Sequence, residues 1–234
     1  MIIGSSQASW VVAEGPFEDV GYKEGRARER EIKTKKLKHM RPPDPLISSL
    51  FLIIAFVVAG FAQSFWFRSR LSKRLMAPID GGRTYRGQRI FGDNKTWRGF
   101  IGMVPAVSVV FMASRLLLEH ISPRVLSEIW PLSTLQYGLL GGWVGFGFMA
   151  GELPNSFFKR RLGVQPGDAP QRPKARIFGF IVDRIDSIAG ALLALAIVVP
   201  VPLVTIAAIL LIGPLFHWAF SLLLFQLGVK TRPA

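Results

Sequence analysis

The sequence has no cysteine, three histidines and three tyrosines among 234 residues, and only 19% of its residues are charged. Without cysteine, disulfides and thiolate metal centres are excluded. His217 has no second histidine or carboxylate nearby in sequence, and His39 and His120 are isolated histidines, so no histidine metal site is spelled out. No nucleophile–histidine arrangement and no internal repeat is visible. Residues 1–17 lack the basic n-region and the uninterrupted apolar h-region of a cleavable signal. Period-two alternation is absent too, and with it the pattern of a membrane β-barrel.

What is present is hydrophobic length. Half of the residues are hydrophobic, gathered in runs that a soluble core of this size does not need. A helix crosses the hydrocarbon layer in about 20 residues. Five segments qualify, at 46–67, 99–118, 134–150, 179–199 and 203–228, the last two separated by a turn at Pro200 and Pro202. The expected fold class is therefore an all-α integral membrane protein of about five transmembrane helices, with polar cytoplasmic loops forming the site. Gly141–Gly145 and Gly147–Gly151 are small-xxx-small pairs that imply close helix packing.

The formal charge of +14 is unevenly distributed. Lys and Arg number nine in 68–98, one in 119–133, six in 151–178 and two in the tail. This alternation places the first, third and final polar segments in the cytoplasm, in a multi-pass protein of the plasma membrane. Residues 1–44 break the pattern, with nine basic and seven acidic residues. Two readings stand for an N-terminal extension over 1–43: either the biological start is Met40, or the extension is a cytoplasmic, partly disordered arm lying on the membrane surface. The membrane domain is 44–234.

Three polar clusters abut the spans on the same face. "VDRIDS" (182–187) carries two carboxylates at the entrance of a span, where insertion scales put an acidic residue at about 2.5–3.5 kcal/mol at the centre and less near the interface. Asp183 and Asp186 are spaced i, i+3, so both project from one helical face toward one object, and a hard divalent cation such as magnesium suits them. The plainer reading is a helix cap with Arg184 paired to one carboxylate. "GELPNSFFKRRLG" (151–163) offers Glu152, Ser156, Lys159, Arg160 and Arg161, the last explained well enough as a headgroup contact. "PIDGGRTYRGQRIFGDNKTWRG" (78–99) offers glycines that let backbone N–H groups approach a phosphate, Asp80, Asp93 and Asn94, and the donors Lys95, Thr96 and Arg98 around an expected helix start. It lacks the spacing of a Walker loop. Acidic groups for a metal beside basic groups for oxyanions suit polyphosphate transfer. A basic loop gripping lipid headgroups would have a similar composition.

Over 40–234 these motifs resemble the archaeal CDP-archaeol synthases, relatives of the phosphatidate cytidylyltransferases. "PIDGG" followed by "RIFGDNKTWRGFIG" is the most specific part; "GELPNSFFKRRLG" is similar to the family's G-D-x-x-x-S-x-x-K-R element and "DRID" to the closing D-x-x-D. The resemblance implies attack of a lipid phosphate on the α-phosphate of CTP, release of pyrophosphate and magnesium as the metal. It implies Asp183, Asp186 and Glu152 as metal ligands and Lys95, Arg98, Lys159, Arg160 and Asp183 as the catalytic set, with Asp80, Asp93, Asn94, Thr96 and Ser156 binding substrate. Glu152 stands where the family usually has Asp. The Lys-Asp pair and His-Gly-Gly of the phosphatidate branch are replaced by "QPGD" and "IFGF", which favours the archaeol-synthase-like branch for sequence and leaves the lipid open. Asp168 reads mainly as a turn residue. The expected partners are CTP, a membrane lipid phosphate and the bilayer, with a homo-oligomer left open and no nucleic acid. Two rivals remain: a CTP-dependent lipid kinase, and an idle lipid-binding protein for which Glu152 is the suspicious feature.

Overall fold

The computed structural model describes residues 40–165, 168 and 173–229, with the side chains of 173–176 set aside. The extension before Met40 lies outside the described residues. Five long helices run through them: α1 (Pro45–Arg68), α3 (Trp97–Ile121), α5 (Thr134–Arg161), α6 (Pro173–Val198) and α7 (Leu203–Gln226). Two short helices, α2 (Arg70–Lys73) and α4 (Pro123–Ser127), and a two-residue hairpin of β1 (Thr84–Tyr85) and β2 (Gln88–Arg89) lie between them. α5 packs on α3 and α6, and α1 on α3 and α7, with α6 and α7 in contact.

The helices start where the sequence supplies caps. Asp44 accepts from the Ile47 amide at 2.9 Å before α1, and Ser133 with Gln136 forms a capping box before α5. Val198 ends α6 and Leu203 begins α7, so the Pro200–Pro202 segment is the turn that the sequence implied. α1, α3 and α7 are long and apolar enough to cross a membrane, with mean hydropathies of 2.4, 1.9 and 2.1. α5 and α6 have the length, at 28 and 26 residues, but glycine and charge dilute their apolar character. The outer face is rich in large apolar side chains, and the mainly apolar interior also holds polar groups. Leu46, Phe65, Leu139, Leu193 and Leu211 face outward, while Ser48, Asp80, Arg160, Arg184 and Thr205 are buried.

The end of the bundle at the α6–α7 turn is closed by aromatic packing. Phe51 meets Phe111, Tyr137 and Trp130 edge-on, with centroids 5.1, 5.8 and 6.2 Å away. The Tyr137 hydroxyl donates to the Trp130 carbonyl at 2.9 Å, and Trp130 Nε1 donates to the Pro200 carbonyl at 2.9 Å.

Two boundaries differ from the sequence reading. The segment after the third span is not a loop, because α5 continues through Pro154 to Arg161. The proline removes one internal N–H but leaves the helix assigned without a break. α6 likewise begins at Pro173, so Asp183 and Asp186 stand well inside a helix, and the helix-cap explanation for them is withdrawn.

Candidate active site

The site is assembled where α5 and α6 touch backbone to backbone. Glycines at 147, 151 and 190 make this approach: a Cβ on Gly190 would collide with the Gly147 carbonyl and stand 2.7 Å from Gly151 Cα. The approach brings Glu152, Asn155 and Lys159, one face of α5, against Asp183, Asp186 and Ser187 of α6. Asn155 Nδ2 donates to Asp183 at 2.6 Å and to Asp186 at 2.8 Å. The i, i+3 carboxylates thus converge on one donor. Lys159 pairs with Asp183, and the Ser187 hydroxyl donates to Glu152 at 2.7 Å.

The third element comes from the polar loop before α3. Thr96, in extended conformation, precedes the first helical residue, and Lys95 just before it forms an ion pair with Glu152. Burial works against the Lys95 ammonium, but Glu152 beside it raises its pKa above the usual lysine value and keeps it charged. Arg98 lies 4.6 Å over the Phe67 ring, its Nε donating to Ser72 Oγ at 3.1 Å, while Trp66 Nε1 donates to its carbonyl at 3.0 Å.

These side chains open into one cavity of about 1130 Å³. All of the sequence-derived site residues line it except Asp80. The opposite half is apolar, bounded by residues such as Leu52, Phe56, Leu195 and Ile209. Asp80 is turned into its own loop. Its carboxylate accepts from the amides of Gly82, Phe91 and Gly92 at 3.0–3.1 Å and from Arg89 at 2.7 Å. Burial alone would push the Asp80 carboxyl up, but Arg89 and the three amides hold it well below the usual carboxylate range. The amides of Gly82 and Gly92, which the sequence reading directed at a phosphate, therefore serve an internal carboxylate. Arg161, read from sequence as a headgroup contact, donates to the carbonyls of Tyr85, Gln88 and Arg89 and clamps the hairpin to α5.

Asn155, Ser187, Arg184 and His217 escaped the sequence reading as site residues. Asn155 and Lys159 follow Glu152 at i+3 and i+7, a helical face that becomes legible once α5 is carried through Pro154. His217 lines the same cavity and lies within electrostatic reach of Glu152, a neighbour 65 positions away in sequence.

Among the described residues, no three carboxylate or imidazole side chains form a ready-made metal site. Two hard oxygen donors, from Asp183 and Asp186, do converge on the Asn155 amide. A magnesium ion is typically held by one or two carboxylates with water and substrate phosphates completing its shell, so this donor set fits one.

A helical bundle with an apolar outer face, whose charges face an internal, half-apolar cavity, has the architecture of a membrane protein that brings a charged group and an apolar chain together. The fold is similar to that of a solved protein described as an intramembrane enzyme for archaeal membrane lipids biosynthesis, with a TM-score of 0.53 and 20% identity, covering 76% of this chain and 95% of that one. The family model "CarS-like: CDP-archaeol synthase" matches residues 46–233. The chain is 32% identical over 160 residues to the CDP-archaeol synthase of Thermococcus gammatolerans, covering 67% of this chain and 81% of that protein. It is 34% identical over 163 residues to that of Methanospirillum hungatei (67% and 89%) and 29% identical over 200 residues to that of Thermofilum pendens (83% of each). The chain belongs to the CDP-archaeol synthase family of CTP-dependent lipid-phosphate cytidylyltransferases.

Proposed function

We propose that this enzyme transfers CMP from CTP to an archaeal ether lipid phosphate at the cytoplasmic face of the plasma membrane, giving a CDP-lipid and pyrophosphate. The carrying observation is one cavity that joins a carboxylate–lysine cluster to an apolar half. A phosphate oxygen of the lipid attacks the α-phosphorus of CTP, and the bond from that phosphorus to the β-phosphate bridging oxygen breaks. No general base is needed, since a phosphate monoester with a second pKa near ~6 is already largely ionised.

Asp183 and Asp186 would hold a magnesium ion, with Glu152 one Ser187 hydroxyl away; when bound, the metal supplies charge neutralisation of the departing pyrophosphate. Lys95 and Lys159, paired with Glu152 and Asp183, are placed to exchange those partners for phosphate oxygens. Arg98 and Arg160 add fixed positive charge along the same wall. Glu152 retains working partners in Lys95 and Ser187, which favours an active enzyme over an idle binder.

Purified protein with magnesium, CTP labelled in the base and at the γ-phosphate, and ether and ester lipid phosphates should yield base-labelled CDP-lipid and labelled pyrophosphate. Release of CDP with a γ-labelled lipid would make it a lipid kinase instead. Absence of any CDP-lipid in protein that binds CTP would sink the proposal.

A further inference from the structure

The cavity has two rims of opposite chemistry. A residue that borders the cavity and is still largely exposed stands where the wall opens, whereas Leu52, Met103 and Leu195 of the inner wall are buried. One set of exposed border residues, Met76, Asp93, Asn94 and Asp168, lies on the polar segments before α3 and after α5. The other set is wholly apolar. It consists of Ile177 and Phe180 of α6 and Phe216 of α7, which are 63%, 44% and 38% exposed.

The apolar rim follows from the way α7 is seated. A Cβ on Gly213 would lie 2.7 Å from Ile188 Cδ1, so α7 rests on α6 at this point. Counting equally along the two antiparallel helices toward the polar end, Phe180 comes level with Ser221, about 12 Å from that contact at a rise of about 1.5 Å per residue. There α7 leans on α1 instead: the Phe220 ring lies against Gly60 and meets Phe61 edge-on, with centroids 5.1 Å apart. Over the same stretch His217, Ser221 and Leu224 of α7 and Phe180 and Arg184 of α6 all border the cavity, which therefore lies between the two helices.

The surroundings of this gap decide what passes through it. Its α7 edge belongs to a helix apolar enough to span a membrane, so the gap faces hydrocarbon. Carrying alkyl chains through water is costly for every methylene, which disfavours the polar rim as a route for a long-chain lipid. The Phe180 ring is backed by the Arg184 guanidinium of its own helix, 3.3 Å from the ring centre. An apolar edge with a cation directly behind it is complementary to an amphiphile with an anionic head.

We infer that the gap between α6 and α7, edged by Ile177, Phe180 and Phe216, is a lateral portal through which the lipid phosphate enters from the bilayer with its chains still in hydrocarbon. The CDP-lipid leaves by the same gap, and CTP uses the polar rim. This inference rests on the proposed cytidylyl transfer.

The absence of cysteine permits a direct test. Phe180→Cys combined with Phe216→Cys is joined by a reductively cleavable bis-thiol reagent in the full chain, reconstituted into vesicles. Joining should lower turnover of a long-chain dialkylglycerol phosphate at least tenfold while leaving the Kd for CTP within threefold, and reduction should restore it. A short-chain, water-soluble dialkylglycerol phosphate, free to use the polar rim, should lose no more than threefold. Undiminished turnover of the long-chain lipid by fully joined protein would overturn the portal, as would an equal loss for the two lipids.

Should the pair fail to fold or to join, Phe216→Cys decides alone. Its alkylation by a membrane-soluble maleimide should slow at least threefold in vesicles where the long-chain lipid phosphate replaces a neutral lipid. Leu211→Cys, exposed on α7 away from the cavity, should react at an unchanged rate. No slowing at Phe216→Cys, or equal slowing at both positions, refutes the portal. Undiminished turnover by the joined pair, when the unjoined protein makes CDP-lipid, removes only this inference, whereas a wild type that makes CDP-lipid from neither substrate removes the function beneath it.

Discussion

The two walls of the cavity close by different means. Between α5 and α6 the contact is backbone against backbone: an added Cβ on Gly151 would strike the Asp186 carbonyl, and one on Gly190 the Gly147 carbonyl. On the α7 side, glycines meet the ends of side chains. A Cβ on Gly213 would lie 2.7 Å from Ile188 Cδ1, and one on Gly60 2.8 Å from the Phe220 ring. Backbone cannot retreat without moving everything attached to it, whereas side-chain ends rotate. Carboxylates that must be positioned within fractions of an ångström therefore sit on the rigid wall. The apolar half, proposed to receive the lipid's flexible chains, is bordered by the adjustable one.

The largest effect should come from the rigid wall's own chemistry. Asp183→Asn keeps the shape but removes the charge shared by Lys159 and Asn155, and turnover should fall roughly 100-fold or more, the scale on which a single transition-state electrostatic contact acts. The variant should remain folded by gel filtration. Activity like that of the wild type would remove Asp183 from the reaction.

Next is the seam itself. Gly190→Ala introduces a methyl group against backbone atoms of Gly147 and Gly151, so α6 must move away from α5. Overpacking of this kind typically costs about 1–3 kcal/mol. The expected outcome is a lower Tm together with a loss of more than about tenfold in turnover, since displacing catalytic groups by about 1 Å can cost ~100-fold. Unchanged turnover would mean that the seam does not set the geometry of the site.

A smaller effect is expected from the loop over the site. Asp80→Ala removes the acceptor of three amides and of Arg89, freeing the hairpin while leaving the cavity's side chains in place. The hairpin should become a site of limited proteolysis, with the CTP KM raised by about three- to tenfold from the loosened Lys95 segment. The pH dependence has a definite sign. With the folded pKa below the unfolded value, Asp80 contributes its full stabilisation above about pH 5 and loses it as the solution becomes more acidic than an ordinary Asp pKa of ~3.9. Hairpin cleavage should hence be flat between about pH 5 and 8 and rise only in acid.

How much of this was written in the sequence differs between the walls. The glycine pairs at 141–145 and 147–151, the proline turn and the shared face of Asp183 and Asp186 were legible because each depends on helical spacing alone. The resemblance put Lys95 and Glu152 in one site, with Lys95 toward phosphate and Glu152 toward a metal, but their ion pair was not legible, as nothing local joins residues 57 positions apart. Pro154 and the charges around it concealed the continuation of α5, and with it Asn155. Asp80 was misplaced for a related reason: a carboxylate among glycines looks the same whether its amides bind a substrate or bind it. His217 was set aside because the carboxylate it faces belongs to another helix.

The smallest effect is expected from the adjustable wall, and it bears most directly on the comparison. Gly213→Ala also makes a close contact, 2.7 Å, but against Ile188 Cδ1, which can rotate aside into the apolar half of the cavity, and not against the carbonyl that Gly190→Ala strikes. Turnover should remain within about twofold, and Tm should change by no more than a few degrees, the scale of surface-like substitutions. The displaced methyl group narrows the cavity beside the lipid, so selectivity should shift by about three- to tenfold toward lipid phosphates with slimmer or shorter chains, as one methylene is worth ~1–3 kcal/mol in an apolar pocket. Competition between two dialkylglycerol phosphates of different chain length, read as the ratio of CDP-lipid products, measures this directly. A loss of turnover as large as that of Gly190→Ala would show that both walls are equally rigid, and that chain choice is set elsewhere than beside Gly213.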